Sequence, residues 1–185
     1  MLRTLNNLDL NLSNLFRIQK SHPLWFPAVI LAHSGDSWVW AIGVGLVWLL
    51  WFARIGGAHL HQYSAILEIS IVFQALFVFA LKAVIKRRRP TGEWGGIYRQ
   101  YDPHSFPSGH ATRAVLLAVT AIGLGPAWFA WTMAVWAPLV CLSRVLTGLH
   151  YLSDILGGML LGLLMGLAIL VISPLWMEWF PFLFR

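Results

Sequence analysis

The 185-residue sequence predicts an all-α fold: a polytopic membrane helical bundle with five firm transmembrane spans and a sixth left open, preceded by an amphipathic interfacial helix. Three observations carry that expectation. Apolar residues make up 58% of the chain and charged ones only 11%, far from the balance of soluble domains. The apolar residues fall into long runs separated by short polar breaks. Eleven Trp and eleven Phe suit a chain whose helix ends lie where hydrocarbon meets water.

Leu5, Leu8, Leu12, Leu15 and Phe16 recur at helical spacing among Asn, Asp and Ser, which describes a helix lying in the interface or a solvated cap on the bundle. No apolar stretch with a small-residue cleavage site occurs in Met1 to Lys20, so this segment does not read as a secretory signal. Pro23 to Ala32 is apolar but short, and His33-Ser34-Gly35-Asp36 interrupts it; residues 1–33 are read as an amphipathic and interfacial lead-in. Ser37 to Ala53 forms the first firm span, roughly 25 Å as a helix against a hydrocarbon core of about 30 Å. The second runs from Gln62 to Ile85, the third from Ala111 to Leu124, the fourth from Ala127 to Val145 and the fifth from Leu152 to Ile172. Gly125-Pro126 makes the turn between the third and fourth. The aromatic tail Pro174 to Arg185 is too short to cross again and is placed along the interface. No repeat or linker divides residues 1–185, which read as one membrane-embedded domain.

The net charge is +6, but the basic residues cluster beside apolar spans, which favours lipid headgroups or phosphates as partners over nucleic acid. Cys141 stands alone within an apolar run, so it forms no internal disulfide and is read as a packing residue.

One long polar segment, Lys86 to Pro107, carries three Pro, three Gly, four Arg and two acidic residues. Loops of this length are often functional. The hairpin of the third and fourth spans brings it to the same membrane face as Arg144 to Asp154. On that face His150 and Asp154 are four residues apart, so on a helix the carboxylate can accept a hydrogen bond from the imidazole Nδ1–H and leave Nε2 as a lone-pair nucleophile. Lys82 and Arg89, seven apart, fall on one side of the end of the second span, and with Arg144 they offer three cations to phosphate oxygens. Pro107-Ser108-Gly109-His110 opens the third span, where the amides of Ser108, Gly109 and His110 can face an anion and His110 can act as general acid. Lys86, Arg87 and Arg88 read as a basic flank anchoring the span.

Lys82-x6-Arg89-Pro90, Pro107-Ser108-Gly109-His110 and Ser143-Arg144-x5-His150-x3-Asp154 together, spanning residues 82–154, resemble the three-part signature of the type 2 phosphatidic acid phosphatase superfamily at every motif position. The resemblance implies that His150 forms a phosphohistidine, Asp154 orients it and His110 protonates the leaving group. It implies that Lys82, Arg89, Ser108, Gly109 and Arg144 bind the phosphate, with no metal and no cofactor. The apolar frame points to the lipid phosphatase branch, acting on undecaprenyl pyrophosphate, phosphatidylglycerophosphate, phosphatidic acid or lipid A 1-phosphate. A phosphotransferase would share every motif, and a non-catalytic lipid-binding or transport protein is the third reading. Membrane members of the family usually have six spans.

The resemblance implies a bacterial inner membrane with the active face toward the periplasm or outside. By the positive-inside rule Lys86, Arg87, Arg88 and Arg99 would place that face in the cytoplasm, as would Arg3, Arg17 and Lys20, which five spans put on the same side. His59, His61 and Glu68 are read as interfacial or membrane polar groups and not as metal ligands, with Glu68 bonding a neighbouring span. Glu93, Tyr98, Tyr101, Asp102 and His104 either meet a headgroup or cap the bundle. Arg113 is expected to pair with Asp102 or Asp154 or to extend the phosphate pocket.

Overall fold

A computed structural model of the chain describes residues 2–52, 58–91 and 96–184. Glu93 lies outside them, as do the side chains of Arg3 and His59. The described residues form helices α1 (Leu2–Phe16), α2 (Trp25–Ser34), α3 (Ser37–Phe52), α4 (Ala58–Ile85), α5 (Gly96–Tyr101), α6 (Gly109–Leu124), α7 (Ala127–Leu146), α8 (Leu152–Trp179) and α9 (Pro181–Phe184).

Helices stand at all five expected span positions. Within α4, α7 and α8 the stretches 60–85, 127–146 and 152–179 are long and apolar enough to cross a membrane; α3 and α6 have 16 residues each, about 24 Å. At 10 residues α2 is too short to cross. It packs on α7 and ends on the face that carries the three motifs.

Packing is organised around α6, whose main neighbours are α8 and α7. The α6–α8 seam is nearly backbone on backbone, because Gly158, Gly162 and Gly166 recur every four residues along one stripe of α8. A Cβ at Gly158 would lie 2.6 Å from the Ser108 carbonyl oxygen, and one at Gly162 would collide with the Thr112 carbonyl. Small residues at such a contact let two membrane helices approach closely. Here they bring the start of α8 against the start of α6, where the Ser108 amide donates to the Asp154 carbonyl at 3.0 Å. Apolar residues of α3, α4, α6, α7 and α8 fill the rest of the core, among them Ile71, Leu116, Leu117 and Val140.

Three expectations about elements need correction. The fifth span does not stop at Ile172: α8 runs through Pro174 to Trp179. Proline removes the amide that would bond the Leu170 carbonyl, and the Ser173 hydroxyl donates to that carbonyl instead, at 3.4 Å. The second span does not carry Arg89 two turns beyond Lys82, because the chain leaves the helix at Lys86, where φ is +52°. Glu68 does not bond a neighbouring span: its Oε2 is buried without a partner among the described residues. His61 is buried and stacks on Trp48.

The N-terminal helix turns its polar side inward. Asp9 accepts from the Ser153 amide at 3.1 Å, and Ser13 accepts from the Leu152 amide at 2.8 Å. Leu8, Leu12, Leu15 and Phe16 are left exposed on the other side, as an interfacial helix requires.

Candidate active site

His150 is delivered by the short turn between α7 and α8, where the Leu149 and His150 amides both reach back to the Arg144 carbonyl. It therefore precedes α8 and does not share a helical face with Asp154. The two meet because Asp154 sits in the first turn of α8: Oδ2 accepts from the Tyr151 amide at 2.9 Å and faces His150 Nδ1 at 3.4 Å. Both side chains are buried.

Arg89 Nη1 lies 2.9 Å from His150 Nε2. A guanidinium can only donate, so Nε2 is the acceptor and the ring proton resides on Nδ1, toward Asp154. Burial, followed by the nearby charges of Arg89 and Arg144, pushes the His150 pKa well below its ordinary value. The imidazole is held neutral with its lone pair facing cations.

The cations converge through one carboxylate. Asp102 Oδ2 pairs with Arg89 Nη2 at 2.7 Å and with Lys82 Nζ, and the Asp102 carbonyl accepts from Arg89 Nε at 2.7 Å. The polar loop is folded back to make this possible. Arg88 and His104 form an isolated antiparallel bridge, and the Ser105 amide donates to the Arg87 carbonyl at 2.7 Å. Arg144 completes the group from α7. Fully buried, it lies with Cζ 4.8 Å from the centre of the Tyr98 ring, and its Nε and Nη2 have no hydrogen-bond partner among the described residues. Two buried guanidinium donors without acceptors are costly to leave so, and they suit an anion.

Ser108 departs from expectation. Its amide is taken by the Asp154 carbonyl and its hydroxyl caps α6 by accepting from the Ala111 amide at 3.4 Å, so it builds the helix start and does not offer an amide to phosphate. Gly109 and His110 provide the first two amides of α6, the positions without intrahelical acceptors. A Cβ at Gly109 would meet only Val78 at an ordinary 3.5 Å, so steric need does not explain this glycine. The His110 ring turns to the α2–α3 corner, where Nε2 lies 2.7 Å from Asp36 Oδ1.

Three residues named from the sequence make contacts that their spacing does not predict. Arg87 is no mere basic flank: Nη1 donates to Asp154 Oδ1 at 2.7 Å and Nη2 to Asp9 Oδ2 at 2.5 Å, tying the carboxylate behind His150 to the N-terminal helix. Arg113 meets neither Asp102 nor Asp154. It holds the Gly35 carbonyl through Nε and Nη2 at 3.1 and 2.5 Å, Ser37 Oγ at 2.7 Å and Gln74 Oε1 at 3.2 Å. Tyr98 donates to Asp36 at 2.7 Å, and burial raises its phenol pKa to about 12.

A cleft of about 620 Å³ opens beside this cluster between α3, α4 and α6, under α5. Lys82, Asp36 and His110 line it together with apolar Trp38, Val78 and Phe79, of which Trp38 and Phe79 are exposed.

Residues 63–178 match the family model described as the PAP2 superfamily. The chain is 32% identical over 138 residues to an undecaprenyl-diphosphatase of Sulfolobus acidocaldarius, covering 72% of this chain and 63% of that one. It is 26% identical over 145 residues to a lipid A 4′-phosphatase of Porphyromonas gingivalis, covering 70% and 59%. The chain thus spans about three-fifths of the length of these relatives. Its fold resembles that of a transmembrane PAP2-type phosphatidylglycerolphosphate phosphatase from Bacillus subtilis, with a TM-score of 0.76 at 22% identity over 92% of this chain and 87% of that one. It also resembles Aquifex aeolicus LpxE, with a TM-score of 0.66 at 23% identity over 89% and 95%.

Proposed function

The chain belongs to the PAP2 superfamily, and on that premise we propose that it is an integral membrane lipid phosphatase acting through a phosphohistidine. The observation that carries this reading is the lone pair of His150 Nε2, directed by Asp154 and facing the cations gathered from Lys82, Arg89 and Arg144. In the reaction Nε2 attacks phosphorus and the bond to the lipid oxygen breaks. His110 gives its proton to that oxygen, then takes one from the water that cleaves the P–N bond and releases inorganic phosphate. The three cations, with the Gly109 and His110 amides, stabilise the charge on the phosphoryl oxygens. Substrate phosphate replaces the Asp102 carboxylate on Lys82 and Arg89, and Arg89 moves from Nε2 to a phosphate oxygen.

A lipid is the substrate class because the cleft joins the cationic Lys82 to apolar residues that include exposed Trp38 and Phe79. Undecaprenyl pyrophosphate, phosphatidylglycerophosphate, phosphatidic acid and lipid A 1-phosphate all present such a headgroup. The active face is assigned to the outside of a bacterial inner membrane. Of the basic residues counted on this face, Arg87 is committed to the carboxylates of Asp154 and Asp9, so it counts as an active-site group and not as a topology signal.

Phosphate release by the purified protein from a panel of these lipids tests the activity, and His150→Ala should abolish it. Substantial residual turnover in that variant would sink the nucleophile assignment, and transfer to an added lipid or sugar acceptor in place of water would make the protein a phosphotransferase. Labelling a cysteine placed at exposed Gln100 with an impermeant reagent in intact cells tests the sidedness.

A further inference from the structure

Every group so far assigned a chemical step lies between Lys82 and Asp154, yet the shortest contact made by His110 is with a residue far outside that stretch. Asp36 occupies the corner between α2 and α3, 74 residues before His110. It lies outside the family-matched segment and in none of the three motifs.

The corner is held from several helices at once. Trp40 Nε1 donates to the Ser34 carbonyl and Trp136 Nε1 to Ser34 Oγ, both at 2.9 Å, and Arg113 grips the Gly35 carbonyl and Ser37 Oγ. Gly35 permits the approach: a Cβ there would stand 3.0 Å from both His110 Cδ2 and Val140 Cγ1. What this scaffolding delivers is one carboxylate. Asp36 Oδ1 takes His110 Nε2 and the Tyr98 hydroxyl, each at 2.7 Å, while Oδ2 faces His33 Nδ1 at 3.0 Å. Asp36 and His110 both line the cleft.

We propose that Asp36 is a positioning residue that acts through His110, fixing its ring and stabilising the imidazolium from which the proton passes to the departing lipid oxygen. The inference rests on the phosphatase reading above. A general acid must carry its proton before it donates, yet burial opposes a positive ring on His110, and so do the cationic Arg144 and Arg113 beside it. A carboxylate in direct contact with Nε2 offsets that opposition. The site then holds two His–Asp pairs with different tasks: Asp154 keeps a neutral histidine oriented for attack, and Asp36 offsets the charge on His110 while it carries the proton that it donates.

Leaving-group dependence tests this separately from a structural role. An alkoxide leaving from phosphatidic acid needs a proton, whereas the nitrophenolate leaving from p-nitrophenyl phosphate does not. The quantity to compare is kcat/KM, which reports on formation of the phosphoenzyme and is unaffected by its later hydrolysis. Asp36→Asn should lower kcat/KM for phosphatidic acid by about a hundredfold, within the range of general-acid contributions, and for p-nitrophenyl phosphate by less than about threefold. Asp36→Glu should recover part of the loss. Parallel losses on both substrates, or no loss on either, would overturn the assignment, and turnover of the aryl ester certifies in the same sample that the variant is folded. The lipid of the panel that the wild type hydrolyses fastest takes the place of phosphatidic acid where that is a better substrate. A wild-type protein inert toward the whole panel and the aryl ester would instead bring down the phosphatase reading, and this inference with it.

Discussion

Under the proposed function Asp102 holds the two cations that would take the substrate phosphate, and its removal should tighten the site. Its carboxylate bridges Lys82 and Arg89, whose side chains are only 6% and 3% exposed, while its own is 37% exposed. At an effective dielectric near 20, unit charges about 4 Å apart attract by ~4 kcal/mol. Water returns most of that to a carboxylate more than a third exposed, and half-exposed pairs are worth ~0.5–1 kcal/mol each. With two cations the clasp is worth ~1–2 kcal/mol, a factor of about 5–30 in apparent affinity. Asp102→Asn should therefore lower the competitive inhibition constant of inorganic phosphate by that factor, measured against hydrolysis of a soluble aryl phosphate. An unchanged or raised constant would refute the reasoning, because it would mean that Asp102 organises the two cations for phosphate and does not compete with it.

Three further outcomes follow from the same geometry. Arg87→Gln removes a cation from Asp154 Oδ1, and Asp9→Asn loosens Arg87 from the far side; the first should cut kcat by about ten- to a hundredfold, the scale for groups that orient a reacting histidine, and the second by less, in steady-state assays. Gly162→Val should destabilise the protein by ~3 kcal/mol, the upper end for overpacking, since its side chain meets the Thr112 backbone, whereas Gly45→Ala, with open space around it, should be neutral or mildly stabilising; thermal unfolding in detergent distinguishes them. Because the His150 pKa is depressed, the unfolded chain binds its proton first as pH falls through about 6.5, so this residue removes stability below that point while staying neutral in the native state. A ¹⁵N-histidine titration, assigned with His150→Gln, should find Nε2 unprotonated at pH 6.5.

The helical frame was legible because apolar runs of span length leave a chain few alternatives, and the motif residues were legible because phosphoryl chemistry needs His, Asp and fixed cations in quantity. What escaped was held by long-range contacts that spacing does not encode. Asp36 stood in plain view as part of a polar break between two apolar runs, but nothing local says that the break faces His110. Arg87 looked like one more residue of a basic flank until the chain left α4 at Lys86 and redirected it toward Asp154. Ser108 was given an amide for phosphate because a helix start was foreseen, but the glycine stripe of α8 that presses the Asp154 carbonyl onto that amide was not. The reach of α8 past Pro174 was hidden for a similar reason, since proline breaks a helix only where no neighbour repairs the lost bond.

The same glycine stripe divides the site into a stiff floor and an adjustable roof. Where two backbones touch there are no long side chains to swing aside, so the spacing between the turn that bears His150 and the helix start that bears His110 is held by main-chain contacts such as Ser108 N–H to the Asp154 carbonyl. Trp38, Phe79 and Tyr101, which also line the cleft, are exposed and take no part in the helix seam. A bulky or slender headgroup is therefore accommodated on one side only, and a change of substrate preference can arise in the roof while the reacting atoms keep their places.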